Sequence, residues 1–472
     1  MLYHRLIEKH LERSGTILTD GTGQYSYRQL HDQAMGYYRY FLQKGLKKGD
    51  RVLVEETTPV RTLFALLGCL AGGFIFVPLN RRTDEKTREK ILQDCGPCLI
   101  LNRKEKTESS GVPQAERQRI SGEENACLIY TSGTEGFPKG VIATQNQILF
   151  CSEAINKRLR NGPADKILCF LPLSFDYGLY QIFLALLNET FLYLEADTAL
   201  QHLPYLITRW KITALPMLPS AANLMVRAGM FRRGREFPLR YISFTGEVLP
   251  VSLICELKKL LPDTEIIPMY GLTECKRVSV MPPDREDKVL AGSCGLPLEN
   301  VRVWLQDADP VTGVGELTVE GPNVMAYWNI PDSESGKFFR DLHSGQRCLH
   351  TGDLFRIDTE GFLYFVGRKN GILKIRGYRV STAQIENRIR TVPGVREAAV
   401  TGVPDEFTGE RAVVFVSINN EAARDAVRKA MKELPSYLNN SEIRFRKTEL
   451  PKNRHGKIDR KFLQKAALEE CR

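Results

Sequence analysis

The sequence predicts an α/β protein with a large N-terminal domain of layered sheets and helices and a small α+β domain at its C-terminus. Its 472 residues exceed what one compact core usually accommodates, so two or more domains are expected. Helix and strand patterns alternate through residues 1–366, which is typical of helices packed on largely parallel strands. Residues 367–472 hold 23 lysines and arginines against 13 aspartates and glutamates and so account for the whole net charge of +10.

Residues 62–79 form a charge-free stretch that is long enough to suggest a membrane-spanning helix. Gly72 and Gly73 interrupt the stretch, and Pro78 lies near its end. This punctuation favours a buried helix followed by a strand, and we therefore expect no membrane association.

The eleven cysteines show no regular framework, and the first residues have the pattern of an amphipathic helix rather than of a secretory signal. Reduced thiols and a cytoplasmic location are therefore expected. Cys95 and Cys98 form a C-x-x-C motif of thioredoxin type. That motif should begin a helix after a strand, whereas here a helix pattern precedes it and the strand pattern "LILN" follows it. The order predicts a helix-to-strand turn in which Gly-Pro is ordinary punctuation.

A glycine-rich loop occupies residues 130–140, "YTSGTEGFPKG". In the familiar P-loop a lysine directly follows a glycine, and a hydroxyl residue directly follows the lysine. Here Phe137 and Pro138 separate Gly136 from Lys139, and no hydroxyl residue follows the lysine, so this is not a Walker motif. The hydroxyl groups, glycines and lysine still suit a phosphate ligand, and an ordinary surface turn is the alternative.

Secondary-structure patterns surround this loop and continue to the C-terminus. A strand is expected over 126–130, and a helix is expected to begin within 140–150. Near the C-terminus, "AAVTGVPD" and "AVVFVSI" have strand patterns and "EAARDAVRKAMKEL" has a helix pattern. These segments indicate a small α+β module.

The basic charge of this module favours an anionic partner: a nucleotide, coenzyme A, an acidic protein or nucleic acid. Nucleic acid is disfavoured because no aromatic-interleaved basic patch and no recognised binding motif accompanies the charge. A solvated basic surface without a partner is the alternative.

Six stretches occur in an order and spacing that resemble the adenylate-forming superfamily, which comprises acyl-CoA synthetases, adenylation domains of peptide synthetases, and luciferases. The resemblance covers essentially the whole chain. The six stretches are "YTSGTEGFPKGV" (130–141), "YGLTE" (270–274), "GELTVEGPNVMAYWN" (315–329), "HTGDLFRID" (350–358), "GRKNGILKIRGYRVS" (367–381) and "PKNRHGKIDR" (451–460).

The resemblance implies that the glycine-rich loop holds the β- and γ-phosphates of ATP, which leave as pyrophosphate when a carboxylate attacks the α-phosphate. Bringing two anions together requires nearby cations and backbone donors. The residues expected to bind the leaving phosphates are Thr131, Ser132, Gly133, Thr134 and Lys139.

Thr273 is similar to the family threonine near the α-phosphate, and Glu274 to the carboxylate that helps to hold Mg²⁺, an ion that prefers oxygen ligands. Capping of a helix start is their alternative role. The residues that the resemblance places around adenine and ribose are Gly246, Glu247, Tyr270, Asp353 and Arg368. Among these, Tyr270 is expected to stack on adenine and Asp353 to accept hydrogen bonds from both ribose hydroxyls.

Lys457 aligns with the catalytic lysine that the family carries on a mobile C-terminal domain. The implied division is a core domain over 1–368, a hinge over 369–371 and a lid domain over 372–472. Asn370 occupies the hinge position, where related sequences more often have Asp or Lys, and asparagine tolerates unusual backbone angles.

Rotation of the lid domain would prepare thioester formation with a phosphopantetheine thiol. Gly377 corresponds to the family glycine that lets a pantetheine arm approach the backbone. The basic charge of the lid domain suits both coenzyme A and an acidic carrier protein. Closure should also keep water away from the adenylate.

The stretch 171–181, "LPLSFDYGLYQ", resembles the wall of the substrate pocket. Peptide-synthetase adenylation domains have Phe-Asp there, and Asp176 falls at the position whose carboxylate binds the α-ammonium of an amino acid. The alternatives for Asp176 are that it caps a turn or pairs with a cation of the protein. Phe175 stands where coenzyme A ligases often have histidine. By contrast, "VSTAQIE" (380–386) is closer to the coenzyme A ligase pattern. The pocket residues implied by the resemblance are Asp176, Tyr177, Tyr180, Met269, Arg277 and Val278.

Lys276 and Arg277 are unusually cationic for a position next to "YGLTE". They either recognise an acidic group on the substrate or point to solvent, and the sequence leaves both alternatives open.

The expected function is that of an AMP-forming ligase, which uses ATP and Mg²⁺ to adenylate a small carboxylic acid, favoured to be an amino acid. The acceptor is expected to be phosphopantetheine on a separate carrier protein, since no carrier domain follows residue 472. The alternatives are an acyl-CoA ligase acting on an aryl or fatty acid with free coenzyme A, an adenylating enzyme with a non-thiol acceptor, and a non-catalytic nucleotide-binding protein.

Overall fold

A computed structural model describes most of the chain and divides it into two compact units. The first unit comprises Met1–Val303 and Val319–His350, and the second comprises Trp304–Thr318 and Thr351–Arg472. The described residues are 1–55, 58–102, 119–131, 138–195, 198–231, 236–375, 378–405, 409–435, 438–452 and 458–469. A large α/β unit and a smaller α+β unit confirm the predicted fold class. The domain boundaries at 368 and 372 and the hinge between them stay predictions.

Helices and strands alternate along the described chain. The α-helices are α1 Leu2–Leu6, α2 Tyr27–Gln43, α3 Pro59–Gly72, α4 Glu85–Cys95, α5 Gln145–Leu159, α6 Asp176–Leu187, α7 Leu203–Trp210, α8 Pro219–Arg227, α9 Val251–Leu260, α10 Glu286–Leu290, α11 Asp332–Ser335, α12 Thr382–Arg390, α13 Ala422–Lys432 and α14 Arg460–Glu469. Short 3₁₀ helices occupy Glu8–His10, Leu200–His202 and Lys369–Gly371.

The strands, in chain order, are β1 Leu18–Thr19, β2 Gln24–Tyr25, β3 Arg51–Glu55, β4 Ile75–Leu79, β5 Leu99–Leu101, β6 Asn125–Thr131, β7 Lys139–Thr144, β8 Lys166–Cys169, β9 Phe191–Leu194, β10 Ala214–Met217, β11 Tyr241–Phe244, β12 Glu265–Tyr270, β13 Ser279–Val280, β14 Leu296–Pro297, β15 Arg302–Gln306, β16 Gly315–Glu320, β17 Ala326–Tyr327, β18 Phe338–Arg340, β19 Arg347–Ile357, β20 Leu363–Arg368, β21 Ile372–Ile375, β22 Tyr378–Ser381, β23 Val395–Asp405, β24 Gly409–Ile418 and β25 Glu442–Arg446.

The first unit contains a nine-stranded sheet with the order β14-β13-β12-β11-β10-β8-β9-β1-β2. Strands β12, β11, β10, β8 and β9 are parallel neighbours in this order. From β8 the chain passes through α6 to β9 on one side and later returns to β10 on the other side of β8. The carboxyl ends of β8 and β10 therefore form a topological switch point, the place where open α/β sheets usually bind ligands.

A six-stranded sheet, ordered β17-β7-β6-β4-β3-β5, also belongs to the first unit. Strands β5, β3, β4 and β6 are parallel, whereas β7 and β17 run antiparallel to their neighbours. The glycine-rich loop connects β6 to β7, so the expected strand over 126–130 is confirmed. The expected helix begins only at Gln145, because residues up to Thr144 pair with β6 and the Thr144 side chain then caps α5.

The second unit has its own core around the sheet order β22-β21-β24-β23, with β25 beside β24. Alternate residues of a strand face opposite sides of the sheet. Val414 belongs to the cluster that includes residues of α12 and α13, while its neighbour Val413 belongs to the cluster that includes Leu463 of α14. The strands and the helix predicted for the C-terminal module are confirmed.

The charge-free stretch forms the buried helix α3 and the buried strand β4, as predicted. Gly73, with φ of 71°, ends the helix in the left-handed conformation that glycine adopts without strain. Within the described ranges, no helix combines the length and apolar character that crossing a membrane requires. At the N-terminus, the expected amphipathic helix is shorter than its pattern, since α1 ends at Leu6 and a 3₁₀ turn follows.

The C-x-x-C motif lies between the end of α4 and the start of β5, as predicted for a helix-to-strand turn. Burial, with the neighbouring charge of Asp94, raises the pKa of the Cys95 thiol to about 11. A raised pKa opposes formation of the reactive thiolate. Cys95 and Cys98 are both free in the structure, and the turn serves the fold.

The first turn of α6 depends on a glycine. A Cβ at Gly178 would lie 2.4 Å from the Pro172 carbonyl oxygen and 2.9 Å from that of Leu171. Gly178→Ala should therefore lower the free energy of unfolding by about 1–3 kcal/mol through overpacking. Gly162→Ala is the matched control, because a Cβ at Gly162 meets nothing within 4 Å. Equal urea midpoints for the two variants would contradict the close approach at α6.

Candidate functional site

Several predicted site residues follow parallel strands of the nine-stranded sheet at their carboxyl ends. Asp176 follows β8, Gly246 and Glu247 follow β11, and Tyr270 ends β12 just before Thr273 and Glu274. Because the carboxyl ends of parallel strands lie at one edge of a sheet, the fold brings these segments to the same edge.

Glu274 is the centre of a buried polar cluster. Its Oε1 accepts a hydrogen bond of 2.7 Å from the Tyr327 hydroxyl and forms an ion pair of 3.1 Å with the Lys337 ammonium. Its backbone oxygen accepts from the Met325 N–H at 2.9 Å, which fixes the β17 segment against it. Burial acts to raise the pKa of the Glu274 carboxyl, but the Lys337 charge and the Tyr327 hydrogen bond outweigh burial and lower that pKa below its usual value. Glu274 is therefore held as an anion.

Lys139 interacts with the ring of the same tyrosine. Lys139 begins β7, and its ammonium lies 5.2 Å from the centroid of the Tyr327 ring, within the range of a cation–π interaction. The pairing of Tyr327 with Val141 on adjacent antiparallel strands places the ring there. Tyr327 thus brings the predicted phosphate lysine and the predicted metal carboxylate into one cluster.

The glycine-rich loop itself is only partly described. Thr131 pairs with Lys139 at the base of the loop, and its hydroxyl donates to the Lys139 carbonyl oxygen at 3.3 Å. Ser132, Gly133 and Thr134 lie outside the described residues.

The cluster fits a phosphate ligand that is held together with a divalent cation. It presents one ionised carboxylate and two lysines, and the described chain has no group of three or more His, Cys, Asp or Glu side chains able to hold a metal ion. A cation bound at Glu274 would therefore take most of its ligands from phosphate oxygens and water, as Mg²⁺ commonly does.

The predicted substrate-pocket residues of α6 are buried together with the segment after "YGLTE". The Tyr177 hydroxyl donates to the Ser243 carbonyl oxygen at 2.8 Å. The Arg277 guanidinium lies 4.9 Å from the Tyr177 ring centroid, and the Lys276 ammonium lies 5.8 Å from that of Tyr180. Lys276 and Arg277 are only 1% and 5% exposed, which excludes the alternative that they point to solvent. Met269 and Val278 are buried as well.

The residues predicted to contact adenine lie after β11 and at the end of β12. Gly246 has φ of 85°, and a Cβ at this position would lie 3.3 Å from Leu218 and 3.5 Å from the Phe175 ring. The Glu247 carboxylate accepts from the Ser220 N–H at 2.9 Å and from its hydroxyl at 3.1 Å. The backbone of Tyr270 pairs with Ser279. Their contacts with a nucleotide stay predictions.

In the second unit, Asp353 and Arg368 are cross-strand partners on β19 and β20. Their side chains form an ion pair of 3.3 Å, in which the carboxylate is buried and the guanidinium is exposed. The pairing places both predicted ribose ligands at one point of this unit.

Lys457 and Gly377 lie outside the described residues, but the base of the segment that carries Lys457 is well held. A β-bridge joins Lys452 to Ile458, and Arg460 binds the buried Glu386 carboxylate through Nη2 at 2.7 Å and through Nη1. Asn370, at the predicted hinge, lies in the 3₁₀ turn Lys369–Gly371.

Sequence reasoning did not assign Tyr327, Lys337 or Glu386. Tyr327 lies within the conspicuous stretch "MAYWN", and Glu386 within "VSTAQIE", but neither stretch indicates which side chain its residue contacts. No sequence pattern marks Lys337, whose role depends on a partner 63 positions away.

Two family models and several curated relatives match the chain. The model described as AMP-binding enzyme matches residues 8–328, and the model described as AMP-binding enzyme C-terminal domain matches residues 384–457. Tyrocidine synthase 3 from Brevibacillus parabrevis is 27% identical over 98% of this chain, which spans only 8% of that protein. Syringomycin synthase SyrB1 from Pseudomonas syringae pv. syringae is 30% identical over 96% of this chain and 79% of its own length.

Solved structures share the fold. ATP-bound MatB from Rhodopseudomonas palustris matches with a TM-score of 0.89 at 22% identity, over 100% of this chain and 99% of MatB. The O-succinylbenzoate coenzyme A synthetase MenE from Bacillus subtilis, in complex with ATP and magnesium ion, matches with a TM-score of 0.84 at 23% identity, over 97% of each chain. VinN in complex with L-aspartate matches with a TM-score of 0.68 at 29% identity, over 78% of this chain and 98% of VinN.

Lys337→Met should make the stability of the protein less dependent on pH. Glu274 has a lowered pKa in the folded state, so its stabilising contribution is present above the pKa of an unfolded glutamate and is lost as pH falls through the folded value. We expect the variant to lose about 2 kcal/mol of unfolding free energy at pH 7, and the difference from the native chain to shrink toward pH 4.

The control for this measurement is Lys157→Met, which removes an exposed ion pair with Glu299. An exposed pair contributes little, so the control should stay near the native stability at neutral pH. A loss that is independent of pH in Lys337→Met would contradict its role in holding Glu274 ionised.

Proposed function

Because the chain belongs to the AMP-binding enzyme family, we propose that it is an AMP-forming ligase that adenylates an amino acid and transfers it to a phosphopantetheine thiol on a carrier protein. The observation that carries the proposal is the contact of Tyr327 with both Glu274 and Lys139. This contact supports the proposal because it brings together the cation proposed to bind phosphate and the carboxylate proposed to bind the metal ion.

In the first step, an oxygen of the substrate carboxylate attacks the α-phosphorus of ATP. A new P–O bond forms, the bond to the β-phosphate oxygen breaks, and pyrophosphate leaves with the electron pair. Lys139 and the glycine-rich loop bind the departing phosphates, and Thr273 lies near the α-phosphate. Mg²⁺ bound at Glu274 would neutralise phosphate charge as it is transferred.

Lys457 supplies a second positive charge to the adenylation step, on the acyl and α-phosphate oxygens. Its segment is held at the base by the bridge between Lys452 and Ile458 and by the Arg460–Glu386 ion pair. In the second step a pantetheine thiolate attacks the acyl carbon, the acyl–oxygen bond breaks, and AMP leaves. Gly377 allows the pantetheine arm to approach the backbone in that step.

Asp176 supports an amino acid as the substrate. Its side chain is 6% exposed, and among the described residues no cation forms an ion pair with it. A buried carboxylate without a partner is costly, and the ammonium of an amino acid would supply one. VinN, crystallised with L-aspartate, is a relative of this chain with an amino acid ligand.

Free coenzyme A is the second candidate acceptor, because residues 380–386 resemble the coenzyme A ligase pattern. The last residue of that stretch, Glu386, binds Arg460 and accepts from the Val400 N–H at 2.9 Å. These contacts explain why a glutamate occupies position 386 whether the acceptor is coenzyme A or a carrier protein. A carrier protein therefore remains the proposed acceptor.

ATP–pyrophosphate exchange with a panel of amino acids, aryl acids and short fatty acids tests the substrate class. We expect exchange with an amino acid, and a loss of at least about 100-fold in Asp176→Asn for that amino acid because its ammonium loses a charged partner. Exchange confined to acids without an amino group would overturn the amino acid assignment and favour the acyl-CoA ligase. Exchange with no acid would favour a nucleotide-binding protein without turnover.

Lys457→Ala should separate the two half-reactions. We expect adenylation to fall by at least about 100-fold because the substitution removes transition-state charge stabilisation, whereas thioester formation from a supplied acyl-adenylate should be largely retained. Lys461→Ala, at an exposed position of α14, is the control and should leave both steps unchanged. An equal loss of both steps in Lys457→Ala would contradict the proposed domain rotation.

A further inference from the structure

Lys276 and Arg277 place two adjacent positive charges in the interior of the first unit. Lys276 is 1% exposed, and no hydrogen-bond partner of its ammonium exists among the described residues. The Arg277 guanidinium is also buried; its Nη1 donates to the Lys276 carbonyl oxygen at 2.7 Å, and its Nε has no hydrogen-bond partner in the described structure. Buried cations are usually paired, whereas no side chain in the described part of the chain forms an ion pair with either of these two.

The backbone at Lys276 is held in an uncommon conformation. Lys276 has φ of 53°, the left-handed region that residues other than glycine seldom adopt. A Cβ at Gly271 would lie 1.8 Å from the Lys276 carbonyl oxygen, which shows how closely this segment folds back on "YGLTE". The segment that carries the two buried cations is therefore held closely against "YGLTE".

Asp176 lies in the same region without neutralising Lys276. Burial raises the pKa of the Cys127 thiol to about 12. The positive charge of Lys276 acts to lower this pKa and the negative charge of Asp176 acts to raise it, so both groups lie near Cys127. The same two residues act on Cys151. Nevertheless, within the described residues no ion pair includes Asp176 or Lys276, and the Lys276 ammonium has no hydrogen-bond partner.

We propose that Lys276 and Arg277 bind a second carboxylate of the substrate, while Asp176 binds its ammonium, so that the substrate is an amino dicarboxylic acid. The inference rests on the proposed adenylating function and specifies its substrate. The ammonium and the second carboxylate would each meet a buried group of opposite charge, whereas a neutral side chain would leave both cations unpaired. The rings of Tyr177 and Tyr180, which lie under the two cations, would border the bound carboxylate.

The test is ATP–pyrophosphate exchange with acids that differ by one charged group. Aspartate and glutamate carry the ammonium and a second carboxylate, asparagine and glutamine replace that carboxylate by an amide, alanine and β-alanine lack it, and succinate lacks the ammonium. We expect kcat/KM for aspartate or glutamate to exceed that for its amide by at least about 100-fold, because a neutral amide would leave the buried cations Lys276 and Arg277 without a counter-charge.

Lys276→Met removes the charge with little change of side-chain volume. It should lower kcat/KM for the dicarboxylic amino acid by at least about 100-fold and so reduce the preference for that acid over alanine or β-alanine, which carry no second carboxylate. Lys211→Met is the matched control, because Lys211 has a similar φ of 52° but is exposed. The control should leave the preference unchanged. Lys276→Gln, which keeps a polar end group, should show the same loss if charge is what the site requires.

The outcomes separate this inference from the function on which it rests. Exchange with alanine or asparagine at the same efficiency as with aspartate would overturn the second-carboxylate site and leave the ligase intact. Exchange with succinate but not with aspartate would overturn the role of Asp176. Absence of exchange with every acid, at an ATP affinity that remains measurable by calorimetry, would overturn the ligase function and this inference together. Exchange measurements on the native chain distinguish these outcomes even if Lys276→Met does not fold.

Discussion

The hydrogen bond from the Tyr327 hydroxyl to Glu274 is the contact on which the site depends, because it joins the nine-stranded and the six-stranded sheets of the first unit. Glu274 follows β12 of the nine-stranded sheet, and Tyr327 ends β17 of the six-stranded sheet. The contact therefore places Lys139 and Glu274 around one ring, although they are carried by different sheets. A phosphate group at this point would meet a cation from one sheet and an ionised carboxylate from the other.

The first unit contains buried charges that are paired within the protein and buried charges that are not paired among the described residues. Glu274 is paired with Lys337 and hydrogen bonded to Tyr327, so its charge is compensated inside the protein. Asp176 and Lys276 are buried in one region, yet within the described residues neither forms an ion pair, and the Lys276 ammonium has no hydrogen-bond partner there. An unpaired buried charge is costly. The charge of Glu274 is therefore stabilised inside the protein, whereas Asp176 and Lys276 would gain their counter-charges from the proposed substrate.

The second unit holds its functional segments by pairing and packing at their bases. Alternate residues of β23 and β24 supply two separate cores, one with α12 and α13 and the other with α14. The Glu386–Arg460 pair ties α12 to the start of α14, directly after the segment that contains Lys457. Because this pair and the bridge between Lys452 and Ile458 anchor both ends of the segment, Lys457 would move together with its domain, as the proposed rotation requires.

The sequence by itself determined the fold class, the family, the buried helix–strand segment within 62–79 and the turn at Cys95, because these features depend on local periodicity, turn residues and motif order. It also located the segments that meet at the carboxyl edge of the sheet. Only the tertiary structure decided that Tyr327 and Lys337 complete the Glu274 cluster, since these contacts join residues 53 and 63 positions apart. The burial of Lys276 and Arg277 was likewise undetermined by the sequence, because a lysine–arginine pair reads equally well as a solvated turn until the packing of α6 against it is known.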